Sequence, residues 1–122
     1  MLNQIVLVGR VVSDPEMKKL EDGKRVCNIT LAIPRSYKNN QGEYDTDFVD
    51  CVLWNNIAYN TTEYCKKGDL VGVKGRIQTD TYEVDGEKRK KTSIVAEKVT
   101  FLSSKARNVD EEVENEDKDI DM

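Results

Sequence analysis

The chain of 122 residues has no histidine, and its three cysteines, Cys27, Cys51 and Cys65, are far apart and form no C-x-x-C pair. Histidine and closely spaced cysteines are the usual ligands of zinc, so we expect no metal site. The lack of histidine also removes the most frequent general base of enzymes. An odd number of separated cysteines fits buried, reduced thiols in a cytosolic protein.

Other absences exclude further classes of protein. No apolar run approaches the ~18 residues of a membrane span, and the first ten residues lack the basic start and cleavage site of a signal peptide. There is no phosphate-binding P-loop and no G-x-G-x-x-G, and neither a carboxylate pair nor a nucleophile–base set stands out. We therefore expect a cytoplasmic protein that is not an enzyme, needs no cofactor and contacts no membrane.

Charge is distributed unevenly along the chain. Residues 108–122 contain eight acidic side chains against one base, Lys118, and so carry −7, whereas the whole chain carries −4. Residues 1–107 must therefore carry +3, and the acidic pI of about 5.0 describes the tail. A basic body with an acidic tail is typical of a polyanion binder that carries its own competitor or partner-binding segment. We expect a folded domain over 1–105 and a disordered acidic tail over 106–122.

The body has the pattern of five strands and one short helix. The first strand is apolar on both faces at Ile5–Val8, which suggests a core on one side and a subunit neighbour on the other. Asn55 or Asn56 is predicted to cap the helix, which would run to Lys66 or Lys67 with Tyr64 on its inner face. Asp22-Gly23 and Asp85-Gly86 are hairpin turns. The predicted strands cover 3–12, 25–37, 46–54, 70–84 and 88–102. A helix between strands 3 and 4 of five is the plan of the all-β OB-fold barrel.

Large aromatic residues lie on strand faces that do not supply the core. Phe48 and Trp54 alternate with the core positions of the third strand, and Tyr82 shares a face with two bases of the fourth. Exposed rings interleaved with bases are typical of a groove in which nucleic-acid bases stack and phosphates are neutralised. The predicted nucleic-acid-binding residues are Tyr37, Phe48, Trp54, Tyr82, Arg35, Lys38, Lys74 and Arg76.

Some residues near this face have a second interpretation. Tyr59 and Phe101 are interpreted as structural, and the basic run 88–91 as a solvated hairpin arm that could instead clamp a nucleic-acid backbone. Ile77 is expected to share the inner face of Val71 and Val73. Asp50 would repel phosphate on the proposed face unless a nearby lysine or arginine pairs with it.

Taken together, these segments resemble bacterial single-stranded DNA-binding proteins of the homotetrameric type. The likeness covers about residues 1–105 and rests on "MLNQIVLVGRVVSDPE", "NITLAIPR", "DFVDCVLW", "KKGDLVGVKGRIQTDTYE" and "EKVTFL". It implies an OB-fold that dimerises through the first strand and acts in DNA replication, recombination and repair. It also implies that the base-stacking rings are Tyr37, Phe48, Trp54 and Tyr82, with Lys74 and Arg76 on a strand that contacts the DNA backbone.

The tail departs from that family's pattern. Family tails follow a long linker and end in acidic residues and Ile-Pro-Phe, which dock onto replication and repair proteins. Here the linker is short and the chain ends Asp119-Ile120-Asp121-Met122. The residues expected to bind partners are Asp117, Asp119, Ile120, Asp121 and Met122. Methionine in place of the terminal ring predicts weaker docking, and the short linker suits a phage or mobile-element copy.

Two other functions fit parts of the sequence. A barrel of this type can serve as a protein adaptor, with the acidic tail as its active part. Alternatively, the stacking rings could bind RNA, because rings alone do not distinguish ribose from deoxyribose.

Overall fold

The computed structural model describes residues 1–103, so the acidic tail and the expected domain boundary at residue 105 lie outside it. The five predicted strands and the helix between the third and fourth of them are confirmed. A further short strand pairs with the start of the second long one, across the turn predicted at Asp22-Gly23. The elements are β1 (Ile5–Val11), β2 (Met17–Lys19), β3 (Arg25–Lys38), β4 (Tyr44–Trp54), α1 (Asn55–Tyr64), β5 (Leu70–Val84) and β6 (Glu87–Ser103).

The strands form one sheet in the order β1-β5-β6-β4-β3-β2, and a second pairing of β1 with β3 closes it into a barrel. Two residue pairs make that closure, Arg10 with Ala32 and Val11 with Leu31. β4 and β6 run parallel and the other pairs are antiparallel. The predicted five-stranded OB-fold is thus confirmed, because the five long strands enclose a single core.

Two glycines allow strands to approach closely. A Cβ on Gly9 would lie 2.7 Å from Ile33 Cγ1 and 2.8 Å from the carbonyl oxygen of Ala32. A Cβ on Gly75 would collide with the backbone carbonyl of Val95, at an irregularity in the β5–β6 pairing. Any other side chain at either position would push the strands apart.

Alternation along the strands places the core where the sequence predicts it. The fully buried residues of β3, β4 and β5 fall on every second position. They are Cys27, Ile29, Leu31, Cys51, Leu53, Val71, Val73 and Gly75. The prediction for Ile77 is wrong, because 44% of its surface is exposed. It sits where β5 leaves the barrel: residues 79–92 of the β5–β6 hairpin are all exposed, so the inner side of the strand has no core to pack on.

The helix differs from the prediction at both ends. Its N-cap is Trp54, and no side chain caps it. Asn55 instead has a φ of +52°, and its Oδ1 accepts a hydrogen bond from the backbone N–H of Arg25. The helix ends at Tyr64, since Cys65 is already extended. Ala58 and Thr61 form its buried face, whereas Tyr64, expected to be inside, is exposed and its ring lies 6.2 Å from that of Phe101.

The three thiols are free and buried, as expected. Burial raises the pKa of Cys27, and it raises the pKa of Cys51 to about 11. Both groups therefore stay protonated and poorly nucleophilic near neutral pH.

The outer face of β1 is apolar and uncovered in the single chain. Val6 is 64% exposed, and Val8 and Leu102 are also exposed. Gly72 lies between Val8 and Leu102: a Cβ added to it would be 3.6 Å from Leu102 and 3.9 Å from Val8. We call Val6, Val8 and Leu102 the β1 apolar strip. Contiguous exposed apolar surface of this kind is characteristic of protein–protein contacts.

Candidate nucleic-acid interface

Two rings stand on the outer face of β4, on the side away from the core. Phe48 is 67% exposed and Trp54 is 36% exposed. Six residues separate them, which corresponds to about 20 Å along a strand. Ala32 lies opposite Phe48, and Val26 lies opposite Trp54. Phe48 is therefore largely accessible, whereas Trp54 exposes about a third of its surface.

The same face continues across the sheet to β5. Val52 of β4 pairs with Val95 of β6, and Val95 pairs with Arg76 of β5. Arg76 Nε lies 3.4 Å from a carboxylate oxygen of Glu97, and its Nη1 donates to Gln78 Oε1 at 2.8 Å. Arg76 therefore lies in the same row of the face as Val52, between the two rings, but its charge is partly neutralised.

Tyr82 is carried by the β5–β6 hairpin, beyond the barrel. It is exposed and lies opposite Arg89. A shallow concavity there is lined by Tyr82, Glu87, Lys88, Arg89 and Lys90. Three members of the basic run 88–91 thus adjoin a predicted stacking ring, which favours its interpretation as a clamp.

Tyr37 is exposed on the other hairpin, between β3 and β4. The pairing shifts between Pro34 and Lys38, so the alternation of β3 does not continue to this ring. Lys38 Nζ lies 5.8 Å from the ring centroid of Tyr44, another exposed aromatic residue. The sequence interpretation missed Tyr44, because the predicted strand began at residue 46, two residues too late; the even spacing from Phe48 places both rings on one face of β4.

Arg35, a predicted DNA contact, is engaged by two carboxylates. Its Nη2 donates to Asp47 Oδ1 at 2.9 Å, and its Nη1 lies 3.7 Å from Asp45. The hydrogen bond from Arg35 holds the pKa of Asp47 below its usual range. Two acids around one base leave no net positive charge here, so Arg35 can bind phosphate only by leaving these partners.

Lys74 lies beside β1, on the same outer side of β5 as Arg76. It pairs in register with Val6 of β1 and with Lys98 of β6, and so adjoins the β1 apolar strip. The pairings therefore place Arg76 in a row between Phe48 and Trp54, hold Tyr37 and Tyr82 on separate hairpins, and set Lys74 two residues before Arg76, beside β1.

Asp50 lies between Phe48 and Trp54, but its partner is not a base. It accepts a hydrogen bond of 2.6 Å from the hydroxyl of Thr30, its register partner on β3. Within residues 1–103 no lysine or arginine forms an ion pair with Asp50, because the facing strand offers a threonine there. The negative charge of Asp50 remains within the face.

Arg10 is a cation that the sequence interpretation missed. Closure of the barrel sets it opposite Ala32, whose other neighbour is Phe48. It is exposed, and its Nη1 donates to the carbonyl oxygen of Gly68 at 3.0 Å. Its outward position on β1 could be read from alternation, but its place beside Phe48 depends on a strand pairing that the sequence does not reveal.

A sequence model of the Single-strand binding protein family matches residues 2–102. The chain belongs to this family. Single-stranded DNA-binding protein B of Bacillus subtilis (strain 168) is 46% identical over 108 residues, which cover 88% of this chain and 96% of the relative. Single-stranded DNA-binding protein 3 of Listeria innocua is 49% identical over 106 residues. That match covers 86% of this chain but 66% of the relative, so the chain spans slightly less than two thirds of that protein.

A solved structure is similar as well. The Plasmodium falciparum SSB complex with ssDNA aligns with a TM-score of 0.71 and 28% identity, over 84% of this chain and 96% of that one. The resemblance to single-stranded DNA-binding proteins and the assignment to the OB-fold are confirmed. The family is one of DNA binders, so the prediction of a non-enzymatic protein is confirmed by membership. Within residues 1–103, no group of acidic or cysteine side chains could hold a metal, and no helix could cross a membrane.

The ion pairs of Arg35 lead to a test in this family member. Asp47→Asn should remove the closer of the two carboxylates that hold Arg35, so affinity for oligo(dT) should rise and the slope of log K against log salt should steepen by about 0.7. The gain in affinity should disappear when the Arg35→Gln/Asp47→Asn double variant is compared with Arg35→Gln alone. Equal gains with and without Arg35 would mean that only the loss of a negative charge matters.

Proposed function

We propose that this protein binds single-stranded DNA without sequence preference, by stacking bases on Tyr37, Phe48, Trp54 and Tyr82. The observation that carries the proposal is the exposure of large rings on the outer side of strands whose inner side forms the core. A phenylalanine that is two-thirds exposed contributes little to folding, because the hydrophobic effect stabilises only buried surface. A stacked base would contribute roughly 1–3 kcal/mol at each ring, whatever its identity.

Cations around the rings would neutralise the phosphates. Arg10, Lys38 and Lys74 have no carboxylate within ion-pair distance in the described part of the chain, whereas Arg35 and Arg76 do. The first three would therefore contribute from the start, and the other two only after exchanging an acidic partner for phosphate. Binding should release counterions, with a slope near −0.7 per neutralised phosphate.

The assembly we propose is a homotetramer that contains a dimer formed through the β1 apolar strip. Exposed Val6, Val8 and Leu102 support this, since burial against a second copy would remove apolar surface from water. Wrapping of DNA around four barrels would then join the rings of several subunits.

The tail is proposed to recruit replication and repair proteins through Asp117, Asp119, Ile120, Asp121 and Met122. The support is its charge of −7 beside a body of +3. The same charge would compete with DNA for the basic body at low salt. The protein would act in replication, recombination and repair on cytoplasmic, nucleoid-associated DNA.

Trp54 is the single tryptophan of the chain, so its fluorescence reports on one ring. We expect quenching as oligo(dT) is added, because stacking on a base quenches indole emission. Anisotropy of a labelled oligonucleotide should confirm saturation in parallel. Unchanged emission at saturation would exclude stacking at Trp54, and stronger competition by oligo(rU) than by unlabelled oligo(dT) would favour the RNA alternative.

The β1 apolar strip can be tested by Val8→Lys. A charge there should prevent burial against a second subunit, so the mass measured by light scattering should fall while circular dichroism still shows a folded barrel. Val84→Lys, at an exposed valine of the β5–β6 hairpin, is the matched control and should keep the wild-type mass. A wild-type mass for Val8→Lys would place the subunit interface elsewhere.

Deletion of 108–122 should raise affinity for oligo(dT) at low salt, because it removes a competing anion. The gain should shrink as salt rises, since screening weakens the tail's own attraction to the body. A chain of unchanged length with the eight acids replaced by their amides is the control for excluded volume. An unchanged low-salt affinity in both variants would show that the tail does not compete.

A further inference from the structure

One exposed aromatic–cation pair lies outside the face described so far. The guanidinium carbon of Arg25, at the start of β3, lies 5.4 Å from the ring centroid of Tyr59 on α1. Tyr59 is 44% exposed, so the pair is accessible to a ligand. The sequence interpretation treated Tyr59 as structural, whereas the structure places it beside a cation, which is the combination proposed above for binding a single strand.

Arg25 is held by neutral groups. Its Nη2 donates to Asn56 Oδ1 at 3.3 Å, and its backbone N–H donates to Asn55 Oδ1 at 3.2 Å. Within residues 1–103, no carboxylate lies within 4 Å of its guanidinium, in contrast to Arg35, Arg76 and Arg89. Arg25 therefore keeps its full charge, and most of its five N–H donors remain available to an anion.

The pair lies next to Trp54. Val26, the neighbour of Arg25, is the register partner of Trp54, and α1 begins directly after Trp54. Tyr59 follows Trp54 by five residues, a rise of about 7.5 Å along a helix. A strand that stacks on Trp54 at this end of β4 would therefore meet Arg25 and Tyr59 next.

We propose that Arg25 and Tyr59 form a further nucleotide subsite for single-stranded DNA, adjoining Trp54. This subsite rests on the proposed function of the barrel. The guanidinium lies over one face of the Tyr59 ring, so the base stacks on the exposed remainder of the ring. The phosphate binds Arg25 in place of the amide oxygen of Asn56, since a charge-assisted hydrogen bond is stronger than one to a neutral acceptor. Contact with the ring already orients the guanidinium, which lowers the entropic cost of binding.

Photocrosslinking tests the contact directly. Full-length protein is irradiated with oligo(dT) that carries 5-iododeoxyuridine, and the linked residues are located by fragmentation mass spectrometry. We expect crosslinks at both Trp54 and Tyr59. Tyr59→Leu should remove the second and keep the first. Crosslinks at Trp54 without any at Tyr59 would overturn the subsite.

Affinity provides the second measurement, made at a salt concentration where binding is not stoichiometric. Tyr59→Leu should weaken binding by at least about fivefold, the lower end of the contribution of a stacked base. Arg25→Gln should make the salt slope about 0.7 less negative. Tyr64→Leu removes another exposed tyrosine from the same helix and should bind as the wild type does.

The outcomes separate the subsite from the function on which it rests. Wild-type affinity in both Tyr59→Leu and Arg25→Gln, with a lowered Tm alone, would show a purely structural contact between helix and strand and would overturn the subsite. Absence of binding by the wild-type protein would overturn the proposed function and the subsite together.

Discussion

Closure of the barrel between β1 and β3 is the constraint on which the remaining structure depends. The pairing is only two residues long, and it requires a glycine at position 9 because a Cβ there would meet Ile33 and the backbone of Ala32. Closure separates an enclosed core from a continuous outer surface. It also brings Arg10 of the first strand beside the row that contains Phe48, so one short contact contributes both to stability and to the proposed DNA-binding face.

The outer surface has two regions with different chemistry. Around β4 it carries exposed rings, with small residues opposite them and cations at the margins, as nucleotide stacking requires. Around β1 it carries the β1 apolar strip, which suits a second protein subunit. Lys74, opposite Val6, belongs to the second region. If that region is buried between subunits, Lys74 can reach DNA only from the edge of the interface.

Ion pairing decides which cations are available. Arg35 is surrounded by Asp45 and Asp47, and the lowered pKa of Asp47 keeps that carboxylate charged and the pair intact down to more acidic pH than usual. The stabilisation from the pair is present above the ordinary pKa of an aspartate and is lost as pH falls through the lowered value. Arg10 and Arg25, which the sequence did not indicate, have only neutral partners and are the more accessible charges.

The sequence by itself determined the succession of the five long strands and the helix along the chain, the core positions within the barrel and the outward direction of Phe48 and Trp54. These follow from alternation, which is a local property of an extended chain. The prediction from sequence was wrong at Ile77, because alternation cannot show where a strand leaves the core. It was also wrong at the helix cap, because the side chain of Asn55 accepts a hydrogen bond from a residue 30 positions away.

Only the tertiary structure decided which partner each charged side chain has. Asp50 faces Thr30, Arg35 faces Asp47, and Arg25 lies over Tyr59, each through contacts between elements. Strand register and barrel closure fix these neighbours, and both depend on long-range packing rather than on the local order of residues.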